Sequence, residues 1–112
     1  MWVVSTSRAD KLHFATAYAE INAIENILFK GIPNSGQESP MIENEMKTVK
    51  ANKDFFRELL DKGDCRRFIM DSALVHKSKK KGVHTVDVSV RVDIQALRKH
   101  LEQNKITRKF GL

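Results

Sequence analysis

Cysteine occurs once, at Cys65, so no disulfide can close within the chain. Tryptophan and tyrosine also occur once each, and proline only at Pro33 and Pro40. No apolar run approaches the roughly 20 residues needed to cross a bilayer. Met1-Trp2-Val3-Val4 is too short for the apolar stretch of a signal peptide. The absences extend to motifs. Ile32–Pro40 (IPNSGQESP) has one glycine and no Gly-Lys-Ser/Thr, which excludes a Walker-type phosphate loop. No Cys-x-x-Cys or His-x-x-x-His spacing occurs, so metal ligation has no support in spacing. There is no internal repeat and no low-complexity segment.

What is present fits a folded domain. The 112 residues correspond to one domain, 1–112, and 41% hydrophobic residues suffice for one modest core. Charge is unevenly placed. Residues 1–61 hold seven Lys/Arg and nine Asp/Glu; residues 62–112 hold thirteen and five, a local net of +8. The second half is therefore suited to an anionic partner, although lysines at such positions also serve solubility alone.

The hairpin at 66–93 organises the chain. Val86, Val88, Val90 and Val92 alternate with Asp87, Ser89 and Arg91, the period of a strand with one buried face. Phe68, Met70 and Leu74 predict a matching apolar face on the preceding strand, and HKSKKKGVH (76–84) reads as a basic tip. Matching the inner faces sets Leu74 opposite Val86, Met70 opposite Val90 and Phe68 opposite Val92. It also sets His76 opposite His84, and Asp71 opposite Ser89.

Upstream, WVVST (2–6) predicts a first strand. Helix period then runs over 10–30, with Ser7 or Asp10 as cap. Phe14, Ala17, Tyr18, Ile21, Ile24 and Leu28 form its inward stripe, His13, Thr16, Glu20 and Lys30 lie off it, and Gly31 ends it. Residues 32–40 read as a mobile loop. A second helix is expected over 41–62, with Ile42, Met46, Val49, Phe56 and Leu60 along its seam and Gly63 after it. Asp93 should cap a last helix, 94–104, with Ile94, Leu97 and Leu101 inward. Residues 105–112 are expected as a short strand or a tucked tail. The sum is an α+β fold: a small antiparallel sheet packed on three helices, in a ferredoxin-like-related βααββα(β) order.

The candidate chemistry is thin. Cys65 has no neighbouring base or orienting group in the sequence, so an ordinary free thiol is the favoured reading. His76 and His84 flank the tip and in the expected register could share a metal ion, but solvated imidazoles beside four lysines are the favoured alternative. Asp71 and Asp87 sit on a wet strand face and should both stay ionised, which does not suit acid–base catalysis. Phe55-Phe56 reads as packing rather than a ligand platform. We expect no catalytic residue, no cofactor and no metal ligand. The candidate contacts to an anionic partner are Lys77, Lys79, Lys80, Lys81, Arg108 and Lys109, with Arg66 and Arg67 nearby. Strand 83–93 has no aromatic residue to stack a base, which counts against an RNA-reading sheet.

Three stretches carry a resemblance: ATAYAEINAIENILFKGIP (15–33), FFRELLDKGDCRRFI (55–69) and VRVDIQALRKHLEQNKITRKFGL (90–112). Together they resemble a family of small secreted or lipid-anchored envelope proteins of gut-type Gram-negative bacteria. More distantly, the plan is similar to the α+β module of small bacterial lipoproteins, flagellar assembly protein T and penicillin-binding-protein activators. The resemblance implies a fold and a compartment and carries no catalytic residue. It places the chain in the periplasm or on an outer-membrane anchor if this is a trimmed mature form, and in the cytoplasm otherwise. The expected function is a non-enzymatic cell-envelope or interaction module that binds a protein or envelope component through the tip and the 32–40 loop. The alternative is a nucleic-acid-associated protein using the same lysines. A third is an enzyme whose site the sequence hides.

Overall fold

The structure is a computed structural model, and it describes residues 1–107. Strand β1 (Trp2–Ala9) leads into helix α1 (Leu12–Phe29). Helices α2 (Glu45–Ala51) and α3 (Lys53–Phe56) follow, then a π turn at Arg57–Asp61 and a 3₁₀ turn at Asp64–Phe68. Strands β2 (Ile69–Lys80) and β3 (Val83–Val92) form the hairpin, and helix α4 (Ile94–Gln103) comes last. The sheet order is β1-β3-β2, with β3 antiparallel to both neighbours. β1 and β2 therefore run parallel with β3 inserted between them, the split βαβ arrangement. Arg108, Lys109 and most of the expected final strand lie outside the described residues. Lys105–Thr107 make a turn beyond α4, not a strand.

The valine face of β3 is the centre of the core. Val86, Val88, Val90 and Val92 are all buried, against Val3 and Ser5 of β1 and the alanine face of α1. Burying each such side chain contributes about 1.5–3 kcal/mol. The helix turns a different side inward from the expected stripe. Ala15, Ala19, Ala23, Ile24, Ile27 and Leu28 are fully buried, whereas Phe14 and Tyr18 are 41% and 48% exposed. Alanines four residues apart allow α1 to lie close on β1 and β3, and that approach decides the face. Glu20 is carried inward with them, where Arg66 Nη2 donates to its Oε1 at 2.9 Å. No side chain caps α1, whose N-cap is Lys11.

The expected helix over 41–62 is broken. It starts at Glu45 behind an Asn44 cap and stops at Asn52, whose Nδ2 donates to the Thr48 carbonyl at 2.9 Å. Met46, expected in the seam, is 83% exposed, while Leu59 and Phe56 are buried. The 32–40 loop is held by its own bonds and by one from α4. The Ile32 amide donates to the Gln37 carbonyl, Ser35 Oγ to the Ile32 carbonyl, and Arg98 Nη2 to Gln37 Oε1 at 2.6 Å. Asp93 caps α4 as expected, accepting from the Ala96 amide at 3.0 Å.

The hairpin register departs from the expected one for a definite reason. The reversal uses only Lys81 and Gly82, both at positive φ (51° and 80°), so Lys80 pairs with Val83. A two-residue turn of this handedness suits the strand twist. It also sets a pairing whose parity would turn Leu74 away from the valine face. A bulge between Leu74 and His76 restores the parity, giving Leu74↔Val88 and Ser72↔Val90, and a second irregularity at Met70 gives Ile69↔Val92. Leu74 thus shares the valine face as expected, but with a different partner. Met70 sits at the irregularity, Phe68 lies in the 3₁₀ turn, and Asp71 opposes Arg91 rather than Ser89.

Candidate functional site

Four of the lysines singled out from the sequence converge at the turn end of the hairpin, but not on one face. Because paired residues point the same way and strand neighbours alternate, the strand pairing sorts them. Lys77 opposes Val86 and Lys79 opposes His84, so both lie on the α1 side of the sheet. Lys80 opposes Val83 on the other side, and Lys81 is in the turn itself. All four are exposed, and among the described residues none is in an ion pair. β1 ends here as well, with Arg8 opposite Thr85 and Ala9 opposite His84, and α1 begins here with Lys11 and His13.

Aromatic surface that β3 lacks is supplied by α1. The Phe14 and Tyr18 rings lie 6.3 Å apart at 17°, both partly exposed, with Lys11 Nζ 5.9 Å from the Phe14 centroid. Both residues belong to the helix flank that carries Ile21, and Ile21 abuts Gly63 just before the segment that leads into β2. The sequence reading missed this pair because an apolar residue at helical spacing was assigned to the core. The signal available was the run of alanines on the neighbouring face.

The expected His76–His84 pair does not form. The turn and the bulge place His76 opposite Asp87 on the outer face and His84 opposite Lys79 on the inner face. Asp87 accepts from Thr6 Oγ1 at 2.5 Å and lies 4.0 Å from His76 Nδ1. All three stand on an open sheet face, so the arrangement is a solvated cross-strand contact. Among the described residues no group of three His, Cys, Asp or Glu is placed to hold a metal ion.

Two other chemically interesting groups lie away from this end. Cys65 is fully buried; burial, with help from the Glu25 and Asp64 carboxylates, pushes its thiol up to about 12. His100 rests between Phe55 and Phe68 at 5.5 and 5.3 Å, with Arg67 Nη2 3.0 Å from Nδ1. Burial first, and the Arg67 charge second, hold its pKa below the ordinary 6.5, so the ring accepts from the guanidinium as neutral imidazole. The cleft beside it is lined by Arg67 of the 3₁₀ turn and by Lys99 and Gln103 of α4. Phe55 and Phe56 meet edge to face at 5.1 Å, and Phe56 packs on Phe29 as core.

The 32–40 loop cannot join the hairpin end in one site. It follows the far end of α1, whose 18 residues span about 27 Å. No family model matches the chain, and neither a curated protein nor a solved structure matches it.

Proposed function

We propose that the protein is a non-enzymatic interaction module that holds an anionic partner at the turn end of its hairpin, and that this partner belongs to the cell envelope. The observation that carries the reading is the convergence of Lys77, Lys79, Lys80 and Lys81 with Arg8 and Lys11 at one end. Among the described residues none of these cations is in an ion pair, and the nearby Asp87 carboxylate contacts Thr6 and His76 instead. Uncompensated cations on an exposed ribbon raise the local concentration of anions and steer their approach. The resemblance to small envelope proteins supports the compartment. A second reading, single-stranded nucleic acid, is favoured by the exposed Phe14–Tyr18 pair, which offers stacking surface beside the lysines.

One titration tests both. Vesicles containing anionic phospholipid, an acidic peptide and an oligothymidylate are each added to the full chain at rising salt. Binding that falls with salt is expected, together with a loss of roughly tenfold or more when Lys77, Lys79, Lys80 and Lys81 become Ala. The same exchange of Lys47, Lys50 and Lys53 on α2 and α3 should leave binding intact. Equal losses from both sets would show only diffuse charge, and no binding to any probe would remove the proposal. Preference for oligothymidylate, lost in the Phe14→Ala/Tyr18→Ala variant, would select the second reading.

A further inference from the structure

Among the described residues the sheet is covered on one face only. Its outer face carries four full rows fixed by the register: Trp2–Arg91–Asp71, Val4–Ser89–Ala73, Thr6–Asp87–His76 and, nearest the turn, Arg8–Thr85–Ser78; the first three make a block centred on the Val4 row. Trp2, Val4 and Met70 are 51%, 66% and 56% exposed there, and Arg91 Nη2 lies 4.0 Å from the Met70 sulfur. Large apolar side chains standing out on a flat face mark a surface suited to a partner. The middle row is uncharged, with the small Ser89 and Ala73 beside the protruding Val4. The rows on either side of it carry opposite charge in the β3 column, Arg91 above and Asp87 below; in the β2 column Asp71 stands above and His76 below.

From this arrangement we infer that the outer face is a self-complementary interface and that its occupant is a second copy of this chain, stacked with its strands antiparallel. A face-to-face pair of identical sheets has two symmetric solutions, because the two-fold axis must lie in the interface plane. With the axis along the strands, each row meets itself. Arg91 then stands over Arg91 of the second copy and Asp87 over Asp87, which is repulsive in the central column. With the axis across the strands, through Val4, Ser89 and Ala73, the upper row meets the lower one. Arg91 then faces Asp87 of the second copy, Asp71 faces His76, Trp2 covers Thr6, and Val4 packs on Val4. Charge complementarity selects the second solution. Sheets packed face to face cross at about 30°, and three strands are too narrow for that angle to carry Arg91 out of reach of Asp87.

The three matched rows measure roughly 17 by 14 Å, from five residues along three strands. That is below the size of a stable specific interface, so the association is weak, reversible and concentration-dependent rather than obligate. Trp2, Val4 and Met70 supply the apolar burial, and the charge pairs supply the register. The antiparallel stacking sends the two hairpin turns in opposite directions and leaves both free. The inference therefore stands independently of the proposed function.

Sedimentation velocity on the full chain over a wide concentration range tests it. The expected result is a monomer–dimer equilibrium, shifted toward monomer at least tenfold by Val4→Glu, by Arg91→Asp and by Asp87→Arg, each confirmed as folded by circular dichroism. The two charge variants supply the decisive mixture. The Arg91→Asp chain presents only carboxylates in the central column and the Asp87→Arg chain only guanidinium groups. Each should be monomeric alone and dimeric when mixed. A wild-type chain that stays monomeric at every concentration overturns the inference. So does a dimer indifferent to all three substitutions, or a mixture that remains monomeric while the wild type pairs.

Discussion

At the scale of single residues, the two buried ionisable positions behave oppositely. Glu20 is tolerated in the core because Arg66 reaches it, and removing the guanidinium would strand a carboxylate that is 8% exposed. Cys65 has no such partner and stays a neutral thiol, its pKa pushed from 9.0 to about 12 mainly by burial. The consequence for stability has a definite sign. Between pH 9 and 12 the unfolded chain releases the thiol proton and the folded chain keeps it, so the protein loses stability as pH rises through that window. The stabilisation is fully present below pH 9. Native Cys65 should therefore resist a thiol reagent at pH 8 and react once guanidinium unfolds the chain. A Cys65→Ala variant should show a flatter loss of denaturation midpoint from pH 9 to 11 than the wild type. Rapid labelling of the native protein at pH 8 would contradict the buried placement.

At the scale of elements, chain reversals hold the most informative residues. α4 ends in a Schellman arrangement: the Ile106 amide donates to the Leu101 carbonyl at 2.9 Å and the Lys105 amide to that of Glu102 at 3.0 Å. Lys105 occupies the left-handed position, φ 58°, where a side chain is strained. Lys105→Gly should raise stability by roughly 0.5–1 kcal/mol. Gly31 is the opposite case. At φ 80° a Cβ there would collide with the Glu38 carbonyl, so Gly31→Ala should cost at least about 2 kcal/mol by denaturant melt. These turns also show what was legible in advance. The valine alternation, the Asp93 cap and the Gly31 and Gly63 stops announce strand and helix ends through local chemistry, and the α+β plan follows from them. The register was not legible, because it depends on a two-residue turn in which Lys81 takes a conformation that lysine rarely signals. The inward face of α1 was not legible either, since Phe14 and Tyr18 outrank Ala15 and Ala19 in hydrophobicity but not in closeness of approach. The lysines of the candidate site could be read directly; their division between two faces, and the aromatic pair beside them, required the turn and the helix rotation.

At the scale of the whole molecule, charge is arranged along α1 in the order that helix electrostatics disfavours. A helix N-terminus carries partial positive charge and its C-terminus partial negative charge. Here the N-terminal end gathers Lys11, Arg8 and the hairpin lysines, and no acidic residue occupies the first turn. Toward the other end Glu25 lies near Glu45 and Asp61, and burial together with those two carboxylates raises its pKa above 4.5. Asp10 before the N-cap and Lys30 at the C-cap complement the dipole, but the gathered cations at one end and the carboxylates near the other reinforce it. The N-cap makes the cost specific. Lys11 has extended backbone angles, φ −124° and ψ 141°, which suit a capping residue, yet it offers no acceptor to the first-turn amides. A position that breaks a local rule without a structural return is where function is expected to reside. Lys11→Ser would supply the missing acceptor and remove a cation from the anion-attracting end. It should therefore stabilise the fold by about 1 kcal/mol while weakening salt-sensitive binding of anionic vesicles or oligothymidylate. Chemical denaturation and the binding titration, run on the same preparation, read the two effects separately. Stabilisation with unchanged binding would take Lys11 out of the site and leave the hairpin lysines as its whole. Weakened binding with no gain in stability would mean that Lys11 contacts the anion but that the helix start is already satisfied by solvent.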